Sequence, residues 1–163
     1  MTTFVSRLIS IIQAEVGVEE INGTNCGPRV NEFKAATNLT PTVAWPWCAA
    51  FVCWGVREAM LALPDQRFTF ARPVTAGAFD FRNWSLRQDS STHTKDWPAD
   101  DINAGDIVIF NFSHIGIAVL DAQDGRVTTV EGNTDLAGSR EGGGVWRKSR
   151  KTSSIKTRIR FTV

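Results

Sequence analysis

Cys48 stands where a polar approach segment containing Pro46 and Trp47 turns into the apolar run Ala49-Ala50-Phe51-Val52. Proline is favoured at the start of a helix, because its fixed φ suits the first turn and its missing N–H has no partner there anyway. A thiol at a helix N-terminus feels the positive end of the macrodipole. That setting favours the nucleophilic thiolate, whose free pKa of about 8.5 falls by several units in such environments. Downstream come His114, within Ser113-His114-Ile115-Gly116-Ile117, and then Glu131-Gly132-Asn133. A cysteine, a histidine and an acid or amide, in that order, supply a nucleophile, its base and a group that orients the base.

The chain has 2 histidines, which narrows the choice of base. His114 opens an apolar alternation, so its ring can face a cleft while Ile115 and Ile117 face the other way. His93 lies in a polar stretch, Ser-Ser-Thr-His-Thr-Lys, and reads as a loop residue. Glu131 and Asn133 are two positions apart, so an extended segment points both to one side. Glu131 ranks above Asn133 as the third member, since a carboxylate also stabilises an imidazolium. Cys53 follows Cys48 by five residues, roughly 140° around a helix, and reads as a small buried hydrophobe. Cys26 sits in an Asn-Cys-Gly-Pro loop with no helix behind it. No paired zinc-ligand spacing and no calcium loop is present, so neither a metal nor another cofactor is expected.

The surrounding elements follow from periodicity. Helical spacing of Phe4, Leu8, Ile11 and Ile12 predicts a first helix over residues 3–16. Pro28 opens a short second helix, and the Cys48 helix runs to about Leu61. Residues 64–104 read as loop apart from one helix near 75–86. Short apolar and alternating runs then predict strands at 107–110, 114–120, 127–131, 144–147 and 154–161. Helices followed by an antiparallel sheet of about five strands make an α+β fold, with 163 residues forming one domain. Net charge is +1, which gives no field pointing to nucleic acid. The basic residues from Arg147 to Arg160 alternate with Ile155 and Ile159 and read as solvated strand faces. No membrane span is expected, and the first residues lack the charged and apolar pattern of a signal peptide. Synthesis in the cytoplasm is therefore expected.

Together these residues resemble the CHAP family of cysteine, histidine-dependent amidohydrolases and peptidases, relatives of NlpC-type and papain-like enzymes. The resemblance rests on Asn-x-Gly-Pro-x-Val at 25–30, Pro-Trp-Cys-Ala-Ala-Phe-Val at 46–52, Gly-Asp-Ile-Val at 105–108, His-x-Gly-Ile at 114–117 and Glu-Gly-Asn-Thr at 131–134. It implies a papain-like fold in which the cysteine helix packs on the histidine-bearing sheet. It implies cleavage of a peptidoglycan amide, in the stem peptide or at the muramoyl–alanine bond, through an acyl-enzyme on Cys48. By analogy His114 is base then acid, while Glu131 and Asn133 orient and polarise, and the Cys48 N–H is an oxyanion donor. Trp45, Trp47, Asn25 and Arg29 flank the nucleophile in sequence and are expected cleft walls, with Arg29 facing a substrate carboxylate. The chain departs from some relatives in having no acidic calcium loop and 0 tyrosines. A phage lysin or a delivered toxin fits this reading, acting as a monomer on the wall after passage through a holin or a secretion system. A cysteine amidase for a non-wall or γ-glutamyl amide, and a silent wall-peptide binding module, are the alternatives.

Overall fold

Among the described residues four helices precede the whole of a six-stranded sheet: α1 (Phe4–Ala14), α2 (Pro28–Lys34), α3 (Cys48–Leu61) and α4 (Asp80–Leu86), then β1 (Thr92–Asp96), β2 (Ile107–Phe110), β3 (His114–Ala118), β4 (Arg126–Thr134), β5 (Gly144–Lys151) and β6 (Ile155–Phe161). The computed structural model describes residues 3–163; Met1 and Thr2, the start of the segment that lacks a signal-peptide pattern, lie outside the described residues. The sheet order is β1-β6-β2-β3-β4-β5. Every neighbouring pair is antiparallel. The architecture is α+β, as the periodicity implied. No helix among the described residues is long and apolar enough to cross a membrane.

Local chemistry explains the helices. Thr3 and Ser6 form a reciprocal capping box at the start of α1, each satisfying a backbone N–H of the other's turn. Phe4, Leu8 and Ile12 recur on one face and are completely buried. α1 lies close against α3 because Gly55 has no side chain; a Cβ there would stand 2.8 Å from Ile12 Cγ2. α3 is the central helix, and its residues from Cys48 to Val56 are all buried. Ile107, Ile109, Ile115, Ile117, Val130 and Ile159 meet it from the sheet. Burial of each such side chain stabilises the fold by about 1.5–3 kcal/mol. The opposite sheet face carries a smaller cluster of Ile102, Val108, Phe110, Ala118, Val127 and Ile155.

Relative to the periodicity, α4 starts later, at Asp80, and β5 runs on to Lys151, and two larger features also differ. The sheet has a sixth strand, β1, where a polar loop was expected, and His93 lies in it. Thr-His-Thr-Lys-Asp has no apolar alternation because β1 is an edge strand with most of its residues outside the core. The basic C-terminal strands are also less solvated than their charge implied. Arg158 is only 2% exposed. It reaches Asp101, at 2.6 Å, while Arg160 pairs with Asp106 and Asp101. These guanidiniums close an ion network on the sheet.

Candidate active site

Cys48 is the first residue of α3, with Trp47 as the cap residue, and no side chain of the helix's own caps this end. The Cys48 N–H therefore has no acceptor within the helix. The approach is held from the sheet instead: Asn133 Oδ1 accepts the Trp47 N–H at 2.9 Å. Trp47 is completely buried, and its indole N–H donates to Glu20 at 2.9 Å. Gly132 allows this contact, since a Cβ there would stand 2.7 Å from Phe51 Cβ and 2.8 Å from the Trp47 ring. A strand glycine thus lets the nucleophile helix seat its start against β4.

His114 opens β3, after Ser113 turns the chain at φ 59°. Its Nε2 lies 3.0 Å from Glu131 Oε2, and both side chains are fully buried. The other ring nitrogen, Nδ1, is buried with no hydrogen-bond partner among the described residues. Burial alone disfavours the imidazolium, but the neighbouring Cys48 and Glu131 outweigh it and raise the His114 pKa to about 9. Burial likewise opposes ionisation of Glu131, yet Arg150 and His114 hold its pKa down at about 2. Phe110 and Phe112 stack on the imidazole, each with ring centroids 6.0 Å away. The ring is fixed in plane, one nitrogen engaged and the other free toward the thiol. This arrangement can take a thiol proton and hold the resulting cation.

The glycine of the His-x-Gly segment has a steric reason. A Cβ at Gly116 would lie 2.6 Å from Glu131 Cγ, so the carboxylate crosses the space that this glycine leaves open. Gly116→Ala is expected to push Glu131 off His114. A displacement of about 1 Å in a catalytic arrangement costs up to ~10²-fold. Turnover should therefore fall ~10- to 100-fold while circular dichroism still reports the folded sheet; an unchanged rate would mean that the Glu131 position is unimportant.

Asn133 does not share a direction with Glu131. The ladder between β4 and β5 shifts register between Glu131 and Thr134, and Asn133 takes φ 57°, so the two-residue alternation breaks at a bulge. Its amide instead joins three segments, accepting from Trp47 and donating to Asn25 Oδ1 at 3.1 Å and to Gly142 O at 2.9 Å. Asn25 is thereby brought beside the site, in a loop held by the fully buried Lys34, which donates to the Asn25 and Val43 carbonyls. Trp45 is half-buried over that same ammonium, 5.4 Å away. Arg29 is corrected: its guanidinium pairs with Glu15 and Glu32 and lies 4.8 Å over the Trp54 ring, so these groups, not a cleft, take its charge. Trp47 is corrected as a wall, since its ring belongs to the core. Cys53 is buried with its pKa pushed up to about 12, chiefly by burial. Half-exposed Cys26 lies 3.4 Å from Lys34 Nζ.

Arg150 and Thr129 also meet Glu131 and carried no signal in the sequence. Arg150 donates from Nε at 3.0 Å and Nη2 at 2.5 Å, and Thr129 from its hydroxyl at 2.5 Å. Beside Asn133 a groove of about 870 Å³ opens, lined by Asn25, Glu19, Glu20, Thr134, Leu136 and Trp146 among others. Among the described residues, no group of three or more His, Cys, Asp and Glu side chains is arranged to hold a metal ion.

Comparison with known proteins bears on this geometry. Residues 40–133, from the loop before Cys48 through Asn133, match the CHAP domain family. The fold is similar to that of a wild-type endolysin, LysIME-EF1, at 17% identity and a TM-score of 0.53, covering 96% of this chain and 63% of that one. It is similar to that of Ly7917 at 17% identity and a TM-score of 0.51, covering 98% and 63%. The chain thus spans just under two thirds of the length of these two proteins, and the likeness is one of fold. No curated protein sequence matches it.

Proposed function

We propose that this chain, which belongs to the CHAP domain family, is a peptidoglycan hydrolase that cleaves an amide of the wall peptide through a Cys48 acyl-enzyme. The observation that carries the reading is the buried His114–Glu131 pair, whose second ring nitrogen is left without a partner near the helix-start thiol. In the proposed cycle, Nδ1 of His114 takes the Cys48 proton and holds it as an imidazolium beside the thiolate, and the sulfur attacks the carbonyl carbon. Negative charge develops on the carbonyl oxygen, where the Cys48 N–H, free at the helix start, is placed to donate. Collapse breaks the C–N bond as the imidazolium returns its proton to the leaving amine. Water, deprotonated by His114, then hydrolyses the thioester. Glu131 orients the ring throughout, and Asn133 holds the Trp47 backbone that leads into the nucleophile.

A thiolate attacking acyl carbon suits amides, whereas glycoside cleavage generally uses two carboxylates flanking the sugar bond. Fold similarity to a protein described as an endolysin supports the wall as target. The domain acts as a monomer, as a phage lysin or a delivered toxin, and reaches the wall through a holin or a secretion system.

Purified protein incubated with sacculi tests this directly. Mass spectrometry should reveal new amino and carboxyl termini in the stem peptide or at the muramoyl–alanine amide. New reducing sugar ends, or intact sacculi of every stem-peptide chemistry, would reject the proposal. Exhaustive chelation should leave the rate unchanged, because a thiolate needs no metal-activated water; loss on chelation with recovery on adding one divalent ion would contradict that expectation.

A further inference from the structure

We infer that Arg150 is a positioning residue of the reaction, which acts through Glu131 to leave the Nδ1 lone pair of His114 facing Cys48. The inference rests on the thiol–imidazole reading of the site, but not on the identity of the substrate. Glu131 is completely buried and accepts four hydrogen bonds, from His114, Thr129 and twice from Arg150. Burial of a lone carboxylate favours its protonated form. Arg150 opposes this with two donors of a planar fork, a charge-assisted pairing roughly twice as strong as a neutral hydrogen bond. The guanidinium is itself fixed: it donates to Gly138 O at 3.0 Å and lies 5.4 Å from the centroids of both Phe110 and Phe112.

The consequence concerns the tautomer of the base. Ionised Glu131 only accepts, so the neutral imidazole carries its hydrogen on Nε2 and presents a lone pair at Nδ1. Protonated Glu131 would donate to Nε2, and the neutral ring would then carry its hydrogen on Nδ1, toward the sulfur. A base in that form cannot take the thiol proton. Arg150 therefore governs the acid side of the working range without touching substrate. The groups facing the couple are Cys48 from α3, His114 from β3, Thr129 from β4 and Arg150 from β5. Lys148, also on β5, directs its ammonium to the Asp135 and Leu136 carbonyls.

The test reads Cys48 alkylation by iodoacetamide against pH, located by peptide mapping, together with ¹⁵N NMR of the His114 ring; neither needs a wall substrate. Failure on sacculi with an intact alkylation profile would overturn the peptidoglycan reading and leave this one standing. Arg150→Met is expected to slow alkylation at pH 6 at least tenfold, to move the acid-side midpoint up by a pH unit or more, and to shift the neutral ring toward the Nδ1–H tautomer. Arg150→Lys, which keeps the charge but not the fork, should fall between Met and wild type. In a Glu131→Gln background, Arg150→Met should change the rate less than threefold. If Arg150→Met fails to fold, Arg150→Lys decides. An unmoved midpoint and an Nε2–H ring in the folded variants, or an equal penalty in both backgrounds, would overturn the inference.

Discussion

Cys48→Ala is expected to abolish turnover of sacculi, a fall on the order of 10⁶-fold as when the nucleophile of a covalent triad is deleted. The fold should survive, because the side chain lost is one sulfur at a site 6% exposed, at the first residue of a helix that stays buried from Ala49 to Val56. Cys48→Ser should fold equally well and remain inactive, since an alcohol beside the same base is a far weaker nucleophile at neutral pH than a thiol. Cys26→Ala, by contrast, should retain activity: its sulfur lies beside Lys34 and the Thr42 carbonyl in the preceding loop, with no imidazole among its partners. Cys53 is closed off by burial and donates to the Thr75 carbonyl. Wild-type rates from Cys48→Ala would reject the nucleophile assignment, as would loss of activity on removing Cys26 instead. Alkylation that tracks inactivation at Cys48 would agree with it.

His114→Ala should cost ~10²–10⁴-fold, the usual contribution of a positioned proton-transfer group. Glu131→Gln should cost less, because an amide still hydrogen-bonds the ring but does not balance its charge. His93→Ala should match wild type in rate: β1 lies three strands from β3 in the sheet order, and the His93 ring meets Arg158. Stability should carry the same signature. The folded His114 keeps its proton up to about 9 against an ordinary 6.5, so its stabilising contribution is complete below 6.5 and is lost as pH rises through 9. Glu131, held near 2 against an ordinary 4.5, contributes fully above 4.5 and loses that contribution as pH falls toward 2. Thermal melts should therefore peak between roughly pH 4.5 and 6.5 as far as this pair is concerned. Replacing either partner should flatten the corresponding flank, and melts of His114→Ala that still decline in parallel with wild type above pH 6.5 would exclude the pair as the cause.

Local pattern carried much of the fold. The Cys48 helix and the four-residue strand at 107–110 coincide with α3 and β2, and the strand opening at His114 is β3, which stops at Ala118 short of residue 120; each is an apolar run bounded by a turn or a helix start. The edge strand β1 escaped because a strand with little burial has no apolar period to detect. The residues of the site were legible as types: a cysteine at a helix start, a choice between two histidines, and an acid and an amide close together. Their assignments to partners were not. The two-residue spacing turns Asn133 to the same side as Glu131, and the bulge sends it to Trp47 instead. Arg29 flanks the nucleophile in sequence, and Glu15, from the end of the first helix, takes its charge together with Glu32.

What the sequence by itself determined is therefore which side chains are chemically able to act and which segments rise as helix or strand, since both depend on residues within a few positions of one another. What only the tertiary structure decided is which charge meets which. Glu131 finds His114 across the gap left by Gly116, and Arg150 reaches the same carboxylate from β5, over sequence separations of 17 and 19 residues. Such meetings depend on strand register, on a bulge and on the absence of one Cβ. A one-residue slip in any of them would turn the same side chains to opposite faces of the sheet.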